Sequence, residues 1–411
     1  MRIVLVSPAP PVKGGISHYS ALLHRHLARR HEVTWLGFRR LYPAWLFPGR
    51  NGHDDSRHVL SAGAEAEPVI DSLNPLTWLK ASSRIIAARP DLVILPWWVA
   101  GYAPLFLSLI LRVKSRTGAK VLFLCHNVVA HEPGLLSRKL SQWALGAGDH
   151  FLVQSAPERE ALVRLTGKDS VVAVPHPTYG AFNSLRLSKA QARARLGLKD
   201  RRVILFFGFV RPYKGLDYLL QAMPGIQAET PARLVVAGEF WEDAERYRRR
   251  VRGLGLEDRV TLVDRYIPTE EVALYFRAAD LVVLPYVSVT GSGLLQMAFG
   301  FHVPVVASRL GALAETVRHG ATGFLVPPRD PQALARAVVE FFRGRHGRSM
   351  SERIRRENGR YSWEGLVEAI ELLAAPEEAG RAGRPDASPS IRPGRTAGRG
   401  RPGTRCEPAG I

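Results

Sequence analysis

An α/β architecture of two facing domains, each a parallel sheet flanked by helices with a cleft between the two, follows from three observations. Short apolar stretches alternate with helical periodicities along most of the chain. The rhythm starts twice. RIVLVSPAPPVKGGISHYS from Arg2 and RVILFFGFVRPYKGLDYLL from Arg202 are each an apolar strand, a loop rich in Gly, Pro and Lys, then a helix. The strands are continuous apolar runs rather than alternating ones, as expected where both faces of a parallel sheet are covered.

Taken in order, the first half predicts strands near residues 3–7, 32–36, 92–95, 120–124, 151–154 and 171–174. Helices are expected at 17–30, 76–88, 104–116, 135–146 and 158–165. The second half predicts strands near 203–207, 234–237, 260–263, 281–284, 303–307 and 323–326. Its helices are expected at 216–223, 242–253, 270–278, 293–300, 312–319 and 331–342. Parallel strands joined by helices require right-handed crossovers. The polar stretch 177–199 reads as the hinge, and 361–373 as a helix returning across it.

With 411 residues and 46% apolar content there is enough chain for two cores. The net charge of +20 favours anionic partners such as nucleotide phosphates, acidic lipid headgroups or nucleic acid. Part of that charge lies in a Gly-, Pro- and Arg-rich tail from Glu378, read as disordered. Cys125 in an apolar strand and Cys406 in the tail give no disulfide framework, which fits a reducing cytoplasm. The N-terminal apolar stretch reads as a first strand rather than a signal peptide. LVILPWWVAGYAPLFLSLIL, residues 92–111, is long enough to span a bilayer, but Pro96, Gly101 and Pro104 divide it into strand, turn and helix. Two readings stand there for Trp97, Trp98 and Tyr102 beside Arg112, Lys114 and Arg116: peripheral contact with anionic membrane, or core aromatics beside a solvated basic turn.

In open α/β sheets ligands bind beyond the carboxyl ends of the strands. Candidate residues were therefore sought in the loops after each strand. Gly14 and Gly15, beside Lys13, permit a tight turn into a helix whose N–H groups favour phosphate. His18, like Asn127 a candidate acceptor contact, is expected either to face the same space from the first helical turn or to pack half-buried. His126 and Asn127 end the strand LFLC, where an imidazole can hydrogen-bond a sugar hydroxyl or share a proton. A metal set of His126, His131 and Glu132 is disfavoured, because no ligand spacing supports it. Arg211 and Lys214 in GFVRPYKGL form the sharpest signal, a fork and a point charge fitted to neutralise a diphosphate. The loop Thr290, Gly291, Ser292, Gly293 and Leu294 offers N–H groups and hydroxyls at a helix start. Glu239 ends a strand and faces the cleft. Glu315 starts a helix and contacts ribose or caps that helix.

GGISHYS, GFVRPYKGLDYLL, LVVAGEF, ADLVVLPY, PVVASRLGALAE and HGATGFLVPPRDP together resemble the retaining glycosyltransferases of family 4, of GT-B fold. The resemblance runs from Met1 to about Leu373. It implies two Rossmann-like domains enclosing a nucleotide-sugar. Residues 1–180 would bind the acceptor, 181–198 would form the hinge and 199–350 would bind the donor. Residues 351–375 would pack back toward the first domain, and 376–411 form the basic tail. Gly15 would lie near the donor diphosphate, His126 near the transferring sugar, Arg211 and Lys214 on the phosphates, and Thr290 to Leu294 around the donor. No cofactor and no metal are implied. One departure is plain. The family carries two glutamates around a Gly-rich loop, whereas VTGSGLLQMAFG has no carboxylate. Counting from Pro304, Met297 stands in place of the second, and Thr290 or Val289 near the first.

The expected activity is transfer of a hexosyl unit, with retention, from a nucleotide diphosphate sugar to a glycolipid or polysaccharide precursor at the cytoplasmic membrane face. A non-catalytic nucleotide or anionic-polymer binding protein on the same scaffold is the alternative. Specific nucleic-acid binding is not expected, since no recognition motif accompanies the charge. An epimerase would need the GxGxxG loop and the Tyr-x-x-x-Lys pair that are missing here.

Overall fold

The computed structural model describes residues 1–42, 52–54, 56, 65–128, 134–183, 185, 187–289 and 291–375. Thr290, His131, Glu132 and the basic tail lie outside the described residues. Residues 1–374 form one compact unit.

The first sheet is built from β1 (Arg2–Val6), β2 (Glu32–Arg40), β3 (Glu67–Asp71), β4 (Leu92–Trp97), β5 (Lys120–Cys125), β6 (His150–Val153) and β7 (Val171–Ala173). Their spatial order is β3-β2-β1-β4-β5-β6-β7. The second is built from β8 (Val203–Phe207), β9 (Arg233–Ala237), β10 (Val260–Val263), β11 (Leu281–Leu284), β12 (Val305–Ser308) and β13 (Gly323–Val326), in the order β10-β9-β8-β11-β12-β13. Every pairing is parallel. Strand order therefore reverses between β1 and β4 and again between β8 and β11. Those two switch points open the crevices where a ligand fits.

Three apolar layers result. One fills the space between the first sheet and helices Pro75–Ala87, Ala103–Lys114 and Leu135–Gly146. Another lies under helices Leu216–Glu229 and Pro331–Arg343 of the second domain. The third joins the facing sides of the two domains and includes helix Trp363–Ala374. That helix packs on Gly15–Leu27 of the first domain. Trp363 Nε1 donates to the Thr178 carbonyl at 3.0 Å, and His31 Nε2 lies 2.8 Å from Glu371. The last helix thus ties the end of the second domain to the first.

Several elements differ from the sequence expectation. β3, EPVID, carries a proline and two acids and was not anticipated as a strand; it is an edge strand needing only β2 beside it. Helix Leu216–Glu229 continues through Pro224 because it packs closely on Pro331–Arg343, which outweighs one missing N–H bond. Inside the stretch expected as hinge, Lys189–Arg195 is a helix with a Ser188/Gln191 capping box. Arg193 and Lys189 both pair with Asp280, which holds this helix on the second domain. The stretch 351–375, expected as one C-terminal helix, belongs to two, Gly347–Glu357 and Trp363–Ala374, separated by a short turn at Asn358–Tyr361. Trp97 and Tyr102 are buried in the first core, and Lys114 pairs with Asp149, so these groups do not form the lipid-facing surface expected of them. Among the described residues no helix is long and apolar enough to cross a membrane.

The loop after β8 reaches the switch point through Gly215, whose φ is +71°. A Cβ there would lie 2.0 Å from the Pro285 carbonyl oxygen. Gly215→Ala is expected to destabilise the fold by about 2–4 kcal/mol, read as a lower denaturant midpoint at unchanged slope.

Candidate functional site

A cavity of about 290 Å³ lies between the two switch points. Gly14, Gly15 and His18 close it from the first domain; Lys214, Glu239 and Gly291 to Leu294 close it from the second. Its far wall is apolar, with Phe207, Ile267, Val272 and Met297.

Gly14 precedes helix Gly15–Leu27 with φ +127°, and no side chain caps that helix. The N–H groups of its first turn are therefore left for a ligand in the cavity. Opposite, Ser292 caps helix Gly293–Gly300 by accepting from the Leu295 N–H at 3.3 Å. The Gly291–Gly293 loop crosses against the first domain. A Cβ on Gly293 would sit 3.3 Å from the Tyr179 ring, and one on Gly291 would sit 3.5 Å from Gln154 Oε1.

Lys214 ends the short turn Pro212–Lys214 and is buried. No carboxylate forms an ion pair with it among the described residues. Its Nζ lies 3.1 Å from where a Gly208 Cβ would be, so a side chain there would push the ammonium aside by a few tenths of an ångström. Burial, reinforced by the nearby Arg211 cation, pulls its pKa down to about 7. Arg211 itself is exposed at the rim and does not line the cavity. Its guanidinium stacks over Trp241 and Tyr213, with centroids at 5.1 and 5.3 Å. Glu239 lines the cavity and pairs with Lys13 across the domains at 3.3 Å, both side chains being almost fully buried.

His18 lines the cavity, and its Nε2 lies 3.1 Å from Asp54. Asp54 also accepts from Tyr266 of the second domain at 2.7 Å and from Ser56. Burial alone would raise the Asp54 pKa; hydrogen bonds from His18, Ser56 and Tyr266 outweigh it and hold the carboxylate at about 2. Tyr266 lies under Lys13 Nζ at 4.7 Å. Asp54, Tyr266, Gln154 and Tyr179 were missed in the sequence because no local motif marks them; tertiary contact alone brings them here.

His126 and Asn127 stand outside the cavity wall, at the end of β5. The His126 Nδ1 lies 3.2 Å from Gln154 Nε2, its Nε2 is buried without a partner, and Tyr19 packs edge-on at 4.7 Å. Burial, with His176 nearby, pulls its pKa down to about 3, so the ring is neutral at physiological pH. It can exchange hydrogen bonds there but does not serve as a standing acid. Glu315 also lies away from the cavity. Its carboxylate accepts from the Ala156 N–H at 3.4 Å, across the domains at the start of helix Ala156–Thr166. Thus Gly14, Gly15, His18, Lys214, Glu239 and Gly291 to Leu294 come together, whereas His126, Asn127, Arg211 and Glu315 surround the cavity without lining it.

Residues 13–178 match the family described as Glycosyltransferase Family 4, and residues 201–343 match Glycosyl transferases group 1. The chain belongs to this family of glycosyltransferases. The D-inositol 3-phosphate glycosyltransferases of Mycobacterium bovis and Mycobacterium tuberculosis are 32% identical to it over 241 residues, 56% of this chain and 49% of theirs. The chain spans about half the length of the curated relatives it matches. Sucrose-phosphate synthase from Thermosynechococcus elongatus has a TM-score of 0.67 at 23% identity, covering 93% of this chain and 100% of that one. Anabaena HepE, solved with UDP-glucose, has a TM-score of 0.71 at 15% identity, covering 91% and 99%. The fold is GT-B.

Glu158, in the first turn of helix Ala156–Thr166, is buried, and its Oε1 has no partner. Burial pushes its pKa up to about 7, against hydrogen bonds from Gln154, Val128 and Ser155. An unfolded glutamate releases its proton near the usual carboxylate value, so this group lowers stability as pH rises from there through 7. Glu158→Gln removes that penalty. Its melting temperature is expected to match wild type near pH 5 and exceed it at pH 8; an unchanged gap between the two pH values contradicts the assignment.

Proposed function

We propose that the protein transfers a hexosyl unit from a nucleotide diphosphate sugar, with retention, to a lipid-linked or saccharide acceptor. The observation that carries this reading is Lys214, a buried cation facing a cavity with no carboxylate paired to it among the described residues. A diphosphate is the ligand class that such a charge, the uncapped helix start at Gly15 and a glycine-lined floor would hold. The UDP-glucose in the Anabaena neighbour supports the donor class. The name of the mycobacterial relatives, D-inositol 3-phosphate glycosyltransferase, supports a hydroxyl acceptor.

In this reading Lys214 stabilises the departing diphosphate, and Arg211 adds charge from the rim. The leaving oxygen, on the same sugar face as the acceptor, takes the acceptor proton while the new glycosidic bond forms. No protein nucleophile is then required. His126, neutral and set behind the cavity wall, positions Gln154 and Tyr19 beside the donor rather than donating a proton. Met297 puts a thioether where the family resemblance implies a carboxylate, so Glu239 is the acid left to meet a donor hydroxyl in the cavity.

Lys214→Ala is expected to lower kcat/KM for the nucleotide-sugar by about 10²–10³-fold and to weaken nucleoside diphosphate binding. Full activity in steady-state assays contradicts the role. Because Lys214 titrates near 7, an anionic ligand takes up a proton on binding above that pH. Diphosphate affinity should fall by up to about tenfold per pH unit above 7, and Lys214→Ala should flatten the profile. For His126→Ala, transfer is expected to be lost with diphosphate affinity retained; equal turnover removes His126 from the reaction.

A further inference from the structure

Three adjacent helices of the first domain, Pro75–Ala87, Ala103–Lys114 and Leu135–Gly146, pack side by side over one face of its sheet. Their inner sides fill that core, yet their outer sides are apolar as well. They carry six of the eleven large apolar side chains left exposed among the described residues, which marks a patch rather than scattered positions. Leu135 is 83% exposed, Leu76 73%, Leu136 70%, Leu111 65% and Trp143 61%. None of the three helices contains Asp or Glu. Leu136, Lys139 and Trp143 share one helical stripe. Lys80, Arg138 and Lys139 are exposed and form no ion pair among the described residues.

We propose that this three-helix face docks on an anionic lipid bilayer. The charge selects the partner. A second copy of the chain meeting this patch through a twofold axis would set cation against cation. An anionic surface instead neutralises the lysines and arginine, while Leu and Trp side chains enter the headgroup boundary and the long cationic stems snorkel to phosphate. The helices lie on the surface and do not cross it, since none is long enough to span. The face differs from the Trp97–Tyr102 segment that the sequence singled out, because folding buries Trp97 and Tyr102 and half-buries Trp98. The proposal stands apart from the transfer reaction, since no residue of the patch lines the cavity.

The test is sedimentation of the full chain with vesicles of phosphatidylcholine containing about 30 mol% phosphatidylglycerol, against phosphatidylcholine alone. Binding is expected to the mixed vesicles only, and to weaken at least about tenfold in both Leu136→Glu/Trp143→Glu and Arg138→Glu/Lys139→Glu. All four side chains are exposed, so nucleoside diphosphate affinity and melting temperature should stay at wild-type values. Brominated acyl chains should quench wild-type fluorescence more than that of Trp143→Phe. Unchanged sedimentation of both double variants, equal binding to neutral vesicles, or equal quenching of Trp143→Phe overturns the proposal. So does a wild-type dimer in solution that Trp143→Glu converts to monomer, which would make the face a contact between copies.

Discussion

A lysine side chain taken out of water without an ion-paired carboxylate is expensive, and among the described residues that cost falls on Lys214. The surrounding structure imposes it. Gly208 clears room for the Nζ, Gly215 lets the loop turn against β11, and the second-domain core fixes the turn Pro212–Lys214. The lowered pKa is the measure of that confinement. A ligand carrying negative charge relieves it, so the feature that weakens the empty cavity strengthens the occupied one.

The two halves of the molecule meet through charge as well as through apolar packing. Lys13 with Glu239, and His18 with Asp54 and Tyr266, cross the cleft at the cavity mouth, while helix Trp363–Ala374 bridges it at the back. The cavity is therefore closed by groups that also belong to its wall. Glu239 is held by a first-domain cation, and Asp54 by a second-domain phenol. On the proposed reading, a ligand entering near Gly15 would compete with these contacts and so link occupancy to the approach of the two domains.

Much of the fold was legible in the sequence because the central strands are uniform apolar runs separated by helices, a pattern with few alternatives. What escaped was set by context. EPVID becomes an edge strand only because β2 offers one free side, and Lys189–Arg195 looked like linker because its charges find their partner in Asp280, far along the chain. Its capping box was a readable signal. In the site, the glycine loops and Lys214 sit where strand-end reasoning pointed. Arg211 instead stacks on Trp241, an aromatic on another loop, and Glu315 caps a helix of the opposite domain. Side chains with long reach take partners that spacing along the chain cannot specify.

The same limit governs the first-domain surface. Apolar residues were sought where they cluster in sequence, at 92–111, and folding used most of them for the core. The outward Leu and Trp residues are dispersed over three helices and become a patch only in the tertiary structure. The role of Lys214 depends on where a diphosphate binds. A crystal structure of the protein with a nucleoside diphosphate measures this most directly. The account predicts a phosphate oxygen within hydrogen-bonding distance of Lys214 Nζ, between the helix starts at Gly15 and Gly293; a diphosphate bound away from Lys214 would contradict it.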